Sequence, residues 1–208
     1  ITGMRRAEKG SVSIMGQDVT NKSPRQIRNI GLAHIPEDRI STGVSPDASV
    51  RDNLMMGKHD DKQFNIMGFH QNRKAIDEYS SALYEKYDIR GAGLDVSAGS
   101  MSGGNMQKLV VAREFSFDTP VLVISQPTRG VDVGAIEFIH AHILEKRNQG
   151  CAVLLSSADL DEVFRPGWRA ALERAWLPGT QQAAYRYVWS FTPTGEEGHV
   201  FWLEKAHA

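Results

Sequence analysis

The sequence predicts an α/β fold in which a parallel sheet core is interrupted by a helical insertion. Three observations carry this expectation. An apolar strand at 121–125, a helical segment at 134–147 and a second strand at 151–156 alternate as the units of a parallel sheet do. An earlier apolar run at 30–35 supplies another strand, closed by Pro36. Between them, residues 40–117 read as mostly helical, so the sheet is left and re-entered.

Taken in order, residues 11–15 alternate apolar and polar like a half-buried strand, and Gly16-Gln17-Asp18 turns it. Ser23-Pro24 caps and starts a short helix, with Pro at the first helical position. Ser49 caps a helix over 50–56. Residues 72–87 place Ala75, Ile76, Tyr79, Leu83 and Tyr87 on one helical face. Gly91, Gly93 and Gly99 break that pattern and lead into Ser102-Gly103-Gly104-Asn105, which opens a helix running to Phe115. Asp118-Thr119-Pro120 then turns the chain into the strand at 121–125.

Composition narrows the function. The 24 basic residues against 25 acidic ones give a net charge of −1, so no basic face for nucleic acid is implied. Arg5-Arg6 and the arginines at 25 and 28 read as solvated positions. The single cysteine, Cys151, excludes an internal disulfide, and its place at the head of an apolar strand predicts a buried, inert thiol in a reducing compartment. No apolar run reaches the ~20 residues of a membrane span. Any membrane role must come through a partner. His140 and His142 lie two apart on a helix and so on different faces, which predicts no metal site, and His34 on an apolar strand reads as a packed residue.

The most informative stretch is Ser100-Met101-Ser102-Gly103-Gly104-Asn105-Met106-Gln107-Lys108, followed by Val121-Leu122-Val123-Ile124-Ser125-Gln126-Pro127-Thr128-Arg129-Gly130-Val131-Asp132. A small hydroxyl and two glycines at a helix start present unpaired N–H groups and the positive end of the helix dipole, which suit a phosphate. The plainer reading of Ser102 is a helix cap alone. Together with the strand at 152–156 and the run Ser157-Ala158-Asp159-Leu160-Asp161-Glu162-Val163, the order resembles the ATP-binding cassettes (ABC) of bacterial importers. The wording is most similar to the second cassette of simple-sugar and nucleoside importers. Ile35-Pro36-Glu37-Asp38-Arg39 and the run from Gly134 to His140 agree with it and lean towards the nucleoside branch. The resemblance covers residues 1–165.

The resemblance implies an ABC-type nucleotide-binding domain: a P-loop NTPase-like parallel sheet core with a helical insertion, incomplete at the N-terminus. The implied divisions are 1–39, N-terminal strands and part of the core; 40–117, the helical signature subdomain; 118–165, the rest of the core; and 166–208, a divergent helix and β-hairpin. Hydrolysis in this family needs a glycine-rich loop with a Lys, a carboxylate for the Mg²⁺ shell, a carboxylate base and a polar γ-phosphate sensor. The only Gly-Lys pair, Gly57-Lys58, has Asp52 where the motif needs Gly and His59 where it needs Ser or Thr. The chain opens without an initiator Met, and by comparison with the family it is expected to begin mid-protein, just after that loop.

The second motif also departs from the active pattern. Ser125 stands at the magnesium-shell Asp, Gln126 at the catalytic Glu, and Ala158 at the switch-loop His. An amide cannot take a proton from water, and general-base catalysis contributes about 10²- to 10⁴-fold. The alternative for Ser125 and Gln126 is polar capping of a strand end. The resemblance further implies that Ser102, Gly103, Gly104 and Asn105 approach the γ-phosphate of ATP held by an opposite cassette, glycine leaving room for that approach. Met101 stands where the usual pattern has Leu. Asp132 matches the loop that crosses the cassette interface. Glu37 falls where the glutamine loop senses Mg²⁺ and water, its alternative being a surface acid paired with Arg39.

The implied assignment is the ATP-binding subunit of a sugar or nucleoside importer, weak or inactive in hydrolysis itself. Its implied ligands are ATP and Mg²⁺, held mainly by a partner cassette or by the phosphate loop. The implied partners are a second ABC cassette, membrane permease subunits contacted through the 40–117 insertion, and indirectly a substrate-binding protein. Its implied location is the cytoplasmic face of the membrane. A nonfunctional or structural cassette fragment, and a non-transport ABC ATPase, are the alternatives. Beyond Arg165 the text changes: Trp168, Trp176, Trp189 and Trp202 are all here and none precedes them. A helix over 167–177 and a hairpin of 185–191 with 199–203 are expected. Two origins stand open for this stretch, a foreign junction near 164–166 or a divergent hairpin that covers the core.

Overall fold

The computed structural model describes residues 1–66, 70–159, 162, 185–191 and 197–203, the last two segments by their backbone alone. It divides into two units, one of residues 1–34, 118–126 and 142–208, the other of 35–117 and 127–141.

In the first unit, β1 (Ser13–Ile14) pairs antiparallel with β2 (Gln17–Asp18). Met15 and Gly16 between them both have positive φ, 51° and 75°, as a tight two-residue hairpin turn requires. The expected strand at 11–15 thus stops at Ile14, and Gln17-Asp18, expected as the turn, is instead the returning strand, because the turn sits at Met15-Gly16. Helix α1 (Pro24–Gly31) starts with a reciprocal cap: Ser23 N donates to Gln26 Oε1 at 3.0 Å, and Gln26 N donates to Ser23 Oγ at 3.4 Å. It takes the first two residues of the expected strand at 30–35. The helix ends at Gly31, where φ is 115° and a Cβ would lie 2.7 Å from Pro120 Cδ, so only glycine fits. Ile27 of α1 packs with Ile14, Val19 and Leu32.

Strand β3 (Leu32–Ile35) then leads towards the second unit. The sheet runs β3, β6 (Val121–Ser125), β7 (Ala152–Ser157), β9 (Glu197–Leu203), β8 (Tyr185–Phe191). Strands β6 and β7 are parallel, with Val121 opposite Ala152 and Ser125 opposite Ser156. Strand β9 joins β7 antiparallel, Leu155 opposite Phe201, and β8 joins β9 antiparallel, Tyr187 opposite Phe201. The expected C-terminal hairpin is therefore present in the backbone, and it makes the sheet mixed. The expected helix at 167–177 lies outside the described residues. Cys151, just ahead of β7, is half-buried rather than buried as expected, and desolvation pushes its thiol pKa up.

The second unit opens with a single π-helical turn, Arg39–Gly43, capped by Asp38. Helix α2 (Val50–Met55) is capped by Ser49 Oγ, which accepts from Asp52 N at 3.0 Å. A two-residue pairing of β4 (Asn65–Ile66) with β5 (His70–Gln71) interrupts the otherwise helical region. Helix α3 (Arg73–Lys86), capped by Asn72, buries Ile76 and Leu83 as its apolar stripe requires. Helix α4 (Gly103–Phe115) is buried on nearly every face and packs against α2 and α3. Helix α5 (Val133–Asn148) follows β6 and closes the loop that carries Asp132.

Candidate functional site

Within the second unit, three segments distant in sequence meet: residues 37–39, residues 102–105 and residues 129–132. Ser102 sits in extended conformation ahead of α4, and its Oγ accepts from Asn105 N at 3.4 Å and from Asn105 Nδ2 at 2.9 Å. A hydroxyl has two acceptor positions and one donor. With both acceptor positions engaged, the proton of Ser102 is what it offers outward, the polarity an anion needs. The N–H groups of Gly103 and Gly104 open the helix and have no intrahelical acceptor, adding the positive end of the dipole. Asn105 is held in turn: its Oδ1 accepts from Arg90 N at 2.7 Å.

The glycines are needed here for a reason the motif alone did not reveal. A Cβ on Gly103 would lie 2.8 Å from Arg39 Nη2 and 3.1 Å from Gly130 O. A Cβ on Gly104 would lie 2.5 Å from Asp132 Oδ2 and 3.3 Å from Ala135 Cβ. The space that glycine frees is filled by this chain's own Arg39 and Asp132. Asp132 also caps α5, its Oδ1 accepting from Ala135 N at 2.9 Å. Ser102, Asp132 and Glu37 are all exposed, so the rim they form faces outward.

Glu37 does not pair with Arg39. Its Oε1 takes a short ion pair from Arg129 Nη1, whereas Arg39 turns to main-chain oxygens, donating to Arg129 O at 2.6 Å and Gly130 O at 3.1 Å. Neighbouring Asp38 is held below the usual carboxylate range, first by the Ser41 hydrogen bonds.

Beneath the rim, Lys108 is buried in α4 and donates from Nζ to Asp88 Oδ2 and Asp88 O, both at 2.9 Å, while lying 4.7 Å from the Phe138 ring centroid. Asp88 has φ of 45° and a lowered pKa, caused first by Lys108 and then by Arg90. This loop ties Arg90, and through it Asn105, to the helix that carries the rim. Sequence reading missed Lys108, Arg90 and the role of Arg39. A lysine reads as solvated by default, and only the spacing of Asn105 and Lys108, three apart on one helical face, marked them as neighbours that could both reach the 88–90 loop.

The remaining candidates lie in the first unit. Ser125 ends β6 opposite Ser156, and Gln126 N donates to Ser156 O at 2.8 Å. Gln126 has φ of 49°, an uncommon conformation for a residue with a side chain. Ala158 is exposed next to Ser157, whose Oγ accepts from Asp159 N at 3.0 Å. As a donor set, a hydroxyl, an amide and a methyl do not fit Mg²⁺, which prefers carboxylate and phosphate oxygens. Among the described residues no group of three or more His, Cys, Asp or Glu could hold a metal. Among them, too, no helix is long and apolar enough to cross a membrane.

Comparison with known proteins gives this geometry a context. The ABC transporter family profile matches residues 1–129. The nucleoside import ATP-binding protein NupA of Lactococcus lactis is 40% identical over 172 residues, covering 83% of this chain and 34% of that protein. The glucose import ATP-binding protein TsgD13 of Haloferax volcanii is 43% identical over 166 residues, covering 79% and 30%. The guanosine import ATP-binding protein NupO of Bacillus subtilis is 35% identical, covering 83% and 34%. The chain thus spans about a third of the length of these relatives. Among solved structures, a nucleotide-free ATP-binding cassette from an ABC transporter aligns with TM-score 0.61 at 24% identity, covering 78% of this chain and 65% of that one. A dimeric post-hydrolysis cassette, MJ0796 bound to ADP and Pi, aligns with TM-score 0.63 at 17% identity, covering 78% and 68%. These likenesses establish the cassette fold.

Proposed function

Since the chain belongs to the ABC transporter family, we propose that it is second-cassette sequence of a sugar- or nucleoside-import ATP-binding protein. Its Ser102–Asn105 loop completes the nucleotide pocket of an opposite cassette. The observation that carries this reading is the 102–105 segment itself: an exposed Ser102 hydroxyl left only a proton to offer, the first two N–H groups of α4, which have no intrahelical acceptor, and glycines packed against Arg39 and Asp132. The printed names of the relatives, nucleoside, guanosine and glucose import proteins, support the solute class.

In this reading the γ-phosphate of ATP held opposite accepts from Ser102 Oγ–H and from the Gly103 and Gly104 amides. Mg²⁺ belongs to that opposite pocket, since Ser125, Gln126 and Ala158 offer it no carboxylate. The chain's own half is weak in hydrolysis because Gln126 cannot act as a base and Ala158 cannot contact phosphate. Closure of the two cassettes moves permease subunits at the cytoplasmic face of the membrane, fed by a substrate-binding protein, with the 40–117 region as the contact.

The test is Ser102→Arg in the chain paired with a competent cassette. Bulk and a fixed side chain then enter the space meant for phosphate. ATP turnover at the opposite half is expected to fall at least about 100-fold, the scale of losing one preorganised oxyanion donor. Unchanged turnover would remove the role assigned to the rim.

A further inference from the structure

Arg39 stands on a rigid base. Asp38 Oδ1 accepts from Ile40 N at 3.0 Å and Ser41 N at 3.1 Å, fixing the π-helical turn. Gly43, at the end of that turn, is buried so closely that a Cβ would meet Val110 of α4 at 3.3 Å and Pro36 at 3.4 Å. The guanidinium leaving this base bonds two consecutive carbonyls, Arg129 O at 2.6 Å and Gly130 O at 3.1 Å. The same Nη2 lies 2.8 Å from where a Cβ on Gly103 would be. Arg129 answers with its ion pair to Glu37. Residues 37–39 and 129–130 are therefore cross-linked in both directions, with the first glycine of α4 wedged against the link. A planar fork can serve two adjacent carbonyls at once, whereas an ammonium serves one.

We propose that Arg39 is a positioning residue, holding the 129–132 loop and the 102–105 loop in one register so that both move with the 37–39 segment as a single body. The inference rests on the reading of the rim as the trans-acting surface. It adds that the register of that surface is set by one side chain which touches no nucleotide. Charge-assisted hydrogen bonds are the stronger kind, so their loss should be visible locally.

The experiment is amide hydrogen exchange together with ATP turnover in the chain paired with a competent cassette. Arg39→Ala is expected to speed exchange about tenfold both at the Met106 amide, which donates to Ser102 O, and at the Val131 amide, which donates to Thr128 O, while leaving 76–83 of α3 unchanged. Arg39→Lys should recover part of the protection. Glu37→Gln, which spares both carbonyl bonds, should shift either loop less than about twofold, as befits an exposed ion pair. At the opposite half kcat should fall at least about fivefold in Arg39→Ala with KM for ATP changed less than about twofold, because the rim matters once the pocket has closed. Unchanged exchange at both loops, or a change at only one of them, overturns the proposal. Should Arg39→Ala loosen α3 as well, Arg39→Lys decides: loosening confined to the two loops supports the proposal and none overturns it. If Ser102→Arg leaves turnover intact while Arg39→Ala loosens both loops, the rim's function fails and the register role stands. The reverse pattern sinks the register role alone.

Discussion

Replacing Gly104 by Ala is the most discriminating single change on the rim. In isolation an alanine for glycine inside a helix gains up to about 1 kcal/mol in propensity. Here the new methyl would lie 2.5 Å from Asp132 Oδ2, so the carboxylate must retreat by about 0.9 Å to reach ordinary contact. That retreat pulls Oδ1 off the Ala135 amide it caps at 2.9 Å, and a lost helix cap costs about 0.5–2 kcal/mol. The two effects nearly cancel, and the net change in stability should stay within about 1 kcal/mol of zero. The sign then depends on Asp132. In an Asp132→Ala background the clash is gone, leaving only Ala135 Cβ at 3.3 Å, and Gly104→Ala should become stabilising by about 0.5 kcal/mol. Chemical denaturation of the four proteins of the cycle gives a coupling of about 0.5–1.5 kcal/mol between the two positions. A coupling indistinguishable from zero would show that Gly104 and Asp132 do not compete for the same space, and the geometric account of the glycine would fall.

Two further outcomes follow from the packing beneath the rim. Tyr79, whose hydroxyl donates to Ser116 Oγ at 2.8 Å, has its pKa pushed up to about 12 by burial. A raised pKa means stability fully present below about 10 and lost as pH rises towards 12. Tyr79→Phe should remove that alkaline loss and a late step in phenolate absorbance, at a cost near neutral pH of about 0.5–1.5 kcal/mol. Lys108→Met removes the donor to the Asp88 carbonyl and carboxylate and should lower the midpoint of thermal or urea unfolding. Because Lys108 holds the Asp88 pKa below its ordinary 3.8, that contribution is present above pH 3.8 and fades as pH falls through the folded-state pKa. The loss should therefore be smaller in acid than at pH 7, and an equal loss at both would contradict the assigned pairing.

Several elements were legible before any coordinates. Ser23, Ser49 and Ser102 each cap the helix that the pattern assigned to them, and β6 spans the five residues its apolar run marks. Where the expectation slipped, the cause is local. A positive φ at Met15 ends the first strand a residue early and sends Gln17-Asp18 back as its partner, and α1 runs on through Ile30 to Gly31, whose φ of 115° ends it.

Local structure and the order of motifs were readable along the chain, since caps, periodicity and turn residues act within a few positions of one another. Which side chains meet was decided by the tertiary structure. Glu37 pairs with Arg129, 92 residues on, rather than with Arg39 two residues away, and Arg39 reaches 90 and 91 residues on to the carbonyls of Arg129 and Gly130. Lys108 sits buried in a helix whose residues read as half polar. Such pairings depend on where a guanidinium, a carboxylate or an ammonium ends once the helices are packed, and no spacing along the chain encodes that distance.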